Sequence, residues 1–401
     1  MKNSAEYRNL PNLRHLNAAL EIQRVGSVSK ASLRVYMSQS ALTQAIARLE
    51  QNLNFVLFNR SPSGLFPTDE GRIYLHRVER ALNWLKMMDN VLATRFEGSN
   101  KRRHQFTTSQ LRALLTVVEE RSYTLAANRL NLSQPTVHRA VHDLEAHFGQ
   151  GFFQRSPAGV EPTWLARQLA RYISLYFSEL SQGLDEVSEH QGKVISRLRV
   201  GSLPLSRTHM IPHTVTQLLN KFPEAKVSII DGPYEEQLHS LLHGQLDVIV
   251  GALRSPNPSP DTEQEFLFND PLSIVVRPGH KLAQKKSLTA NQLREIDWIA
   301  PRANTPAREA FTRFFVNKGL QPPEHLIECS SMVATRGLLL ESERAALLPA
   351  RQVEVEIQKG LLVISPQKLS GTNREIGLTL RRHWQPTQVQ AYFLQLLRDY
   401  N

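Results

Sequence analysis

Gln39, Ser40, Thr43, Gln44 and Arg48 recur along one side of a segment whose other side carries Leu42, Ile46, Leu49 and Leu53. Apolar residues at that spacing predict a helix with one buried face. Carboxamides, hydroxyls and a guanidinium on the opposite face offer donors and acceptors that suit base edges and phosphates in a major groove. Arg60 adds a further cation in a segment broken by Pro62 and Gly64. This is the chemistry of recognition. The sequence has no nucleophile elbow, no phosphate-binding glycine loop and no HExxH pattern, so no catalytic residues are assigned and an enzyme is not expected.

The elements that must hold these side chains are written twice. A shift of 95 residues lays Ser38-Gln39 on Ser133-Gln134, Leu49-Glu50 on Leu144-Glu145 and Phe58 on Phe153. It also lays Arg60-Ser61-Pro62 on Arg155-Ser156-Pro157, Gly64 on Gly159 and Pro67-Thr68 on Pro162-Thr163. With Ala45 on Ala140 there are 12 identities in 31 ungapped positions, where chance gives about two. That is a duplicated folding unit. Upstream, Leu16, Ala19 and Leu20 keep helical spacing until Gly26-Ser27 breaks it. Ser27 can cap a second short helix holding Ala31, Leu33 and Val35, and Ser38 a third. Two short helices around a tight turn make a helix-turn-helix, and residues 58–68 predict a β-wing beside it. In the second copy Gln134, Thr136, His138, Arg139 and Arg155 take the reading positions.

The net charge of +11 is unevenly spread. Residues 1–105 hold 16 Lys/Arg against 8 Asp/Glu, residues 106–194 hold 8 against 9, and residues 195–401 hold 24 against 20. The first third has the electrostatic footprint of phosphate binding, and the second copy lacks it. A single Cys329 excludes an internal disulfide framework, and no run of 18 apolar residues occurs. A cytoplasmic protein without membrane contact is expected. Cys329 as a redox switch is weighed against an inert thiol at a strand end. His138 and His142 stand four apart, but no Cys or carboxylate partner is evident, so no metal is assigned.

After each wing a longer helix is expected. Leu75, Val78, Leu82, Leu85 and Leu92 form a seam in the first, interrupted by Asp89; Leu165, Leu169, Ile173, Tyr176, Leu180 and Val187 form one in the second. The first seam either pairs two subunits or packs on its own helix-turn-helix. Residues 98–104 between the copies, with Lys101-Arg102-Arg103, read as an exposed linker. From Leu198 onward short apolar strands alternate with amphipathic helices, which predicts parallel βαβ units. Ligands in such sheets bind at the carboxyl ends of strands. The loops there contain Ser202, Pro204, Ser206, Arg207 and Thr208, then Asp231-Gly232-Pro233, then Arg302, Asn304 and Thr305, then Ser330 and Ser331. For the hydroxyl residues plain helix capping is the competing role. The two arginines suit an anionic ligand.

The first copy resembles the winged helix-turn-helix of LysR-type transcriptional regulators through Gly26-Ser27, Ala31, Ser38-Gln39-Ser40-Ala41-Leu42, Arg48-Leu49-Glu50, Leu57-Phe58-Asn59-Arg60 and Thr68-Asp69-Glu70-Gly71. The second matches through Ala126-Ala127, Leu130, Ser133-Gln134-Pro135-Thr136-Val137, Leu144-Glu145, Phe153-Gln154-Arg155 and Pro162-Thr163. Two such domains in one chain depart from the family pattern. The carboxyl-terminal half resembles the family's effector domain through Leu198-Arg199-Val200-Gly201, Phe222-Pro223, Gly244-Gln245-Leu246-Asp247, residues 276–282 and Ala346-Leu347-Leu348-Pro349. Residues 201–207 and 338–349 look most like the galactose-binding-protein regulator subgroup.

The resemblance implies a multidomain α plus α/β chain. The expected parts are a winged helix-turn-helix at 1–68, a linker or dimerisation helix at 69–97, a linker at 98–106, a second winged helix-turn-helix at 107–163, its helix at 164–193, and an effector domain at 194–401. That domain would have the two-lobed periplasmic-binding-protein fold, with lobe I at 194–264 and 369–401 and lobe II at 265–368. The first, third and fourth ligand loops would line the cleft. The implied partners are an operator duplex, a small effector, further copies as dimer or tetramer, and RNA polymerase; no cofactor is implied. The second copy either reads DNA too or serves as a dimerisation or spacing module. A DNA-architectural protein without an effector, and a ligand-binding enzyme fused to DNA-binding domains, are the readings from other classes.

Overall fold

The computed structural model describes residues 11–62, 64–95, 106–157, 159–193 and 196–400. Most of the basic linker, residues 1–10 and the side chain of Leu92 lie outside the described residues. The chain divides into two compact halves near Ser196.

In the first half, Ser27 and Ser38 cap their helices as their positions require, each hydroxyl accepting a hydrogen bond from a first-turn N–H. The elements are α1 (Leu13–Val25), α2 (Val28–Arg34), α3 (Gln39–Leu53), β1 (Phe58–Ser61), β2 (Gly64–Pro67) and α4 (Asp69–Arg95). The second copy repeats them as α5 (Thr108–Glu120), α6 (Tyr123–Leu130), α7 (Gln134–Phe148), β3 (Phe153–Ser156), β4 (Gly159–Pro162) and α8 (Trp164–His190). Each wing is a two-stranded antiparallel hairpin.

Most identities between the copies have a folding reason. Ser38 and Ser133 are N-caps. Leu49 and Leu144 are buried. Glu50 reaches out of α3 to accept hydrogen bonds from the N–H groups of Leu57 (2.7 Å) and Phe58 (3.2 Å), and Glu145 accepts one from Phe152 at 2.7 Å. The carboxylate thus ties each wing to its third helix. Gly64 has φ +136°, and a Cβ there would sit 2.3 Å from the carbonyl oxygen of Gly26. Gly159 makes the same approach to Arg121. Thr68 accepts from Gly71 N–H and Thr163 from Ala166 N–H at the starts of the long helices.

The two long helices pack against each other. One continuous core runs through both copies and includes Leu75, Val78, Leu82 and Leu85 of α4 and Leu169, Ile173, Tyr176 and Leu180 of α8. The seam of α4 therefore has its partner in the same chain, which corrects the expectation of a second subunit at this surface. The pair is antiparallel, since Arg77 meets Glu179 and Glu186 while Trp84 meets Tyr172 at 6.4 Å between ring centroids. Arg77 is 1% exposed. It donates to Glu179 (2.8 Å), Gln182 (3.0 Å) and Glu186 (2.9 Å), and Arg80 donates to Glu179 at 2.9 Å. Burial works against both charges, yet the acids hold the Arg77 guanidinium above its ordinary pKa. For Glu179 burial pushes the carboxyl up, and Arg80 and Arg77 outweigh it to hold it below the usual range. Burial raises Asp89, the polar interruption in the seam, to about 7.

The second half holds two five-stranded sheets. Its elements are β5 (Arg197–Ser202), α9 (Met210–Lys221), β6 (Lys226–Asp231), α10 (Tyr234–Leu242), β7 (Val248–Ala252), β8 (Thr262–Asp270), β9 (Leu272–Val276), α11 (Ala290–Arg294), β10 (Trp298–Ala300), α12 (Pro306–Val316), β11 (Leu326–Glu328), α13 (Met332–Leu340), β12 (Ala345–Pro349), α14 (Glu354–Gln358), β13 (Val363–Ile364), β14 (Arg374–Arg381) and α15 (Gln388–Arg398). The sheet orders are β6-β5-β7-β14-β8 and β11-β10-β12-β9-β13. Strands β5, β6 and β7 are parallel, as are β10, β11 and β12, but β14, β8, β9 and β13 pair antiparallel. The expected parallel βαβ units are present in both sheets, each joined by antiparallel strands that make the sheet mixed. Strand β8 stays in the first sheet up to Asp270, so residues 265–270 belong with lobe I. Among the described residues no helix is long and apolar enough to cross a membrane.

The buried charge cluster sets a pH dependence. Glu179 is depressed in the folded state, so its stabilisation is present above its unfolded pKa, about 4.3, and is lost as pH falls through the folded value. Thermal unfolding of Glu179→Gln should show a loss of roughly 3 kcal/mol relative to wild type at pH 7, shrinking below about pH 4. A gap independent of pH would show that the ion pair contributes nothing. Gly64→Ala should cost about 2–4 kcal/mol, because the side chain meets backbone in a left-handed conformation. An unchanged melting temperature would exclude the docking of wing on turn described above.

Candidate nucleic-acid interface and ligand cleft

Helix α3 buries Leu42, Ala45, Ile46, Leu49 and Leu53, and this fixes which side chains face out. Gln39, Ser40, Thr43, Gln44 and Arg48 are all exposed, as is Arg60 on β1. Thr43 donates to the carbonyl of Gln39 (2.9 Å), Ser40 shares a hydrogen bond with Ser38 (3.1 Å), and Gln39 donates to Ser29 at 3.1 Å. These are surface bonds that a base edge can replace. On the second copy Gln134, Thr136, His138, Arg139 and Arg155 are exposed in the same manner. Thr136 shares a 2.7 Å hydrogen bond with the cap Ser133, and His138 lies against Tyr123 with ring centroids 5.1 Å apart. Among the described residues Arg48, Arg60, Arg139 and Arg155 carry no ion pair. The structure thus brings each copy's predicted residues to one third helix and its wing.

Two differences separate the faces. The position of Arg48 is held in the second copy by Asp143, also exposed, and that of Ser40 by Pro135. Two exposed identities remain, Gln39 with Gln134 and Arg60 with Arg155; Gln39 also reaches Ser29 of α2, whereas Arg60 and Arg155 have no evident role in the fold. His138 and His142 stack at 6.3 Å between centroids, and no cluster of metal-ligating residues occurs among the described residues.

In the second half a cavity of about 430 Å³ opens at the carboxyl ends of β5, β6, β7, β10 and β11, between the two sheets. Of the ten residues expected there, Pro204, Arg207, Arg302, Asn304, Thr305, Ser330 and Ser331 line it. Thr305 also caps α12, accepting from Arg308 N–H at 3.1 Å, and Ser331 caps α13. Capping and lining are therefore combined in one residue. Three expectations are corrected. Ser202 and Ser206 are fully buried, and their hydroxyls donate to backbone carbonyls, Ser202 to Ile230 and Ser206 to Leu203 and Val250. Thr208 bonds the carbonyls of Leu205 and Arg351. These three brace the loop after β5 and do not line the cavity.

Arg207 donates to the carbonyl of Ser202 at 2.9 Å and faces Asp231 at 3.7 Å. Burial lowers its pKa, with Asp231 opposing. Sequence reasoning missed Tyr234, Arg254, Gln352 and Arg374, which also line the cavity. Arg254 lies 4.2 Å over the ring of Tyr234, and burial lowers its pKa. Arg374 is buried against Asp270, with its Nε unpaired among the described residues. No local motif marks these residues: Arg254 and Arg374 reach the cavity only because β7 and β14 are neighbours, although they are 120 residues apart in the chain. Cys329 lines the cavity too, its thiol directed to the carbonyl of Ser331 at 3.4 Å.

The profile of the bacterial regulatory helix-turn-helix protein, LysR family, matches twice, at residues 13–72 and 108–167. The LysR substrate binding domain matches residues 191–401. The HTH-type transcriptional regulator GalR of Pseudomonas putida is 32% identical over 372 residues, 93% of each chain. PcaQ of Agrobacterium fabrum is 25% identical over 289 residues, 72% of this chain and 93% of its own. Among solved structures, a full-length OxyR variant from Pseudomonas aeruginosa superposes with a TM-score of 0.55 at 21% identity, covering 73% of this chain and 98% of that one. CbnR, a LysR family transcriptional regulator, gives 0.50 at 21% identity, covering 72% and 97%. The chain belongs to the LysR family of transcriptional regulators, which bind DNA and a small-molecule effector.

Proposed function

We propose that both winged helix-turn-helix copies bind operator DNA, and that an anionic metabolite held between the two sheets governs the outcome. The observation that carries the first part is the pair of exposed identities, Gln39 with Gln134 and Arg60 with Arg155, of which both arginines carry no ion pair among the described residues. Gln39, Ser40, Thr43 and Gln44 read bases, and Arg48 and Arg60 anchor phosphates. Gln134, Thr136, His138, Arg139 and Arg155 do the same in the second copy. A second reading, in which that copy is a spacer, is favoured by Asp143 in the place of Arg48 and by 9 acids against 8 cations in residues 106–194.

The cavity supports an anion because Arg207, Arg254, Arg302 and Arg374 line it against Asp231 and Glu235. The likeness of residues 201–207 and 338–349 to the galactose-binding-protein regulators concerns the shape of this half and leaves the ligand open.

A footprint on the DNA upstream of the protein's own gene tests the first part. Arg60→Ala and Arg155→Ala should each erase a different protected segment and lower the salt dependence by about one released counterion. An intact footprint with Arg155→Ala would make the second copy a spacer. For the cavity, mono- and dicarboxylates are screened by thermal shift beside neutral sugars. At least one acid should raise the melting temperature of wild type, and Arg254→Met should abolish that rise. Stabilisation by neutral sugars alone would exclude the anion.

A further inference from the structure

Arg77 and Arg80 stand on α4, and the groups that answer them, Glu179, Gln182 and Glu186, stand on α8. The 95-residue register tells what each would meet in a like-with-like pair. In that register the α8 residues Glu179, Gln182 and Glu186 around Arg77 correspond to Trp84, Met87 and Val91 of α4, and the α4 residues around Glu179 correspond to Tyr172 and Leu175 of α8. Two copies of α4 would bury Arg77 against apolar side chains on both sides of the axis. Two copies of α8 would do the same to Glu179. A buried charge stripped of its partner is among the strongest penalties a packed surface can carry.

Volume selects the same pairing. A Cβ on Gly183 would lie 2.9 Å from the Cβ of Arg77 and 3.0 Å from Tyr74, so the helices meet closely at that point. The residue of α4 in that register is Met88, which could not fit there. The tether from the end of α4 to the start of α5, residues 96–107, is short. It holds the two copies at an effective concentration on the order of mM, which favours pairing within one chain over exchange between chains. The third helices so joined are unlike. Among their exposed reading positions only Gln39 and Gln134 agree, whereas Ser40, Thr43, Gln44 and Arg48 correspond to Pro135, His138, Arg139 and Asp143 in register.

We propose that a single polypeptide is the complete counterpart of a DNA-binding dimer, and that its target is a duplex with two different half-sites in fixed order. No second chain is needed on that duplex. The inference rests on the reading of α3 and α7 as base-reading helices.

Full-length protein is used to select duplexes from a random-sequence pool, and the shortest selected duplex that keeps full affinity is taken for native mass spectrometry. The expected result is a motif without two-fold symmetry and one 45.6 kDa chain per duplex. A palindromic motif, or two chains per duplex, overturns the inference. Arg77→Glu should weaken binding to that duplex about 100-fold or more, through lost avidity. Because unfolding alone would also weaken binding, Arg77→Glu with Glu179→Arg and Glu186→Arg is measured beside it. Recovery of most of the affinity supports selection by charge, and no recovery counts against it. Arg60→Ala separates the two levels. If it leaves affinity unchanged, the DNA reading of the first copy fails and the inference with it. If it weakens binding while two chains occupy the duplex, the DNA reading stands and the inference falls.

Discussion

The structure of the amino-terminal half depends on one buried cluster of charge. Arg77 is enclosed between α4 and α8 and satisfied by two carboxylates and a carboxamide from the opposite helix. Such a cluster adds little stability beyond what apolar side chains of equal volume would give. It does fix which surface meets which and in what direction. Removing any member leaves the others in a medium that cannot solvate them. The continuous core that runs from Leu16 to Val187 follows from that pairing, because it closes only when the two long helices lie antiparallel. Each wing and third helix is then carried on a frame whose geometry the two long helices set.

Much of this half was legible because the sequence states it twice. Caps, turns and buried leucines at matching positions in both copies leave few alternatives for the local fold. The seam residues were also legible, but their partner was not. Periodicity shows that a helix has an apolar face; it says nothing about which chain supplies the covering surface. The signal that could have resolved this lay in charge. Arg77 and Arg80 have no acid at a useful position on their own helix, whereas Glu179 and Glu186 occur on the other.

The carboxyl-terminal half was legible at a coarser grain. Loops at the carboxyl ends of parallel strands were found from alternation alone, and most of their polar residues line the cavity. Ser202, Ser206 and Thr208 did not follow, because a hydroxyl beside a buried carbonyl is taken up by the backbone before any ligand can reach it. One antiparallel strand, β8, escaped notice for a related reason. Strand β8 is amphipathic, half exposed and followed after one residue by β9, so no break in pattern separates it from its neighbour. Arg254 and Arg374, which give the cavity much of its positive character, come together only through strand order.

The carboxylates of Glu50 and Glu145 have a mechanical meaning. By gripping the first backbone N–H groups at the start of the wing, each makes its third helix and its hairpin a single lever. Under the proposed function, the base-reading side chains of each third helix and the arginine of its wing then cannot adjust independently. Such a lever works as a calliper: it tests the distance between groove floor and backbone at the same moment as it tests the bases. A duplex with the right letters but the wrong groove width would be refused, so part of the selectivity resides in the stiffness of the protein and not in any one contact.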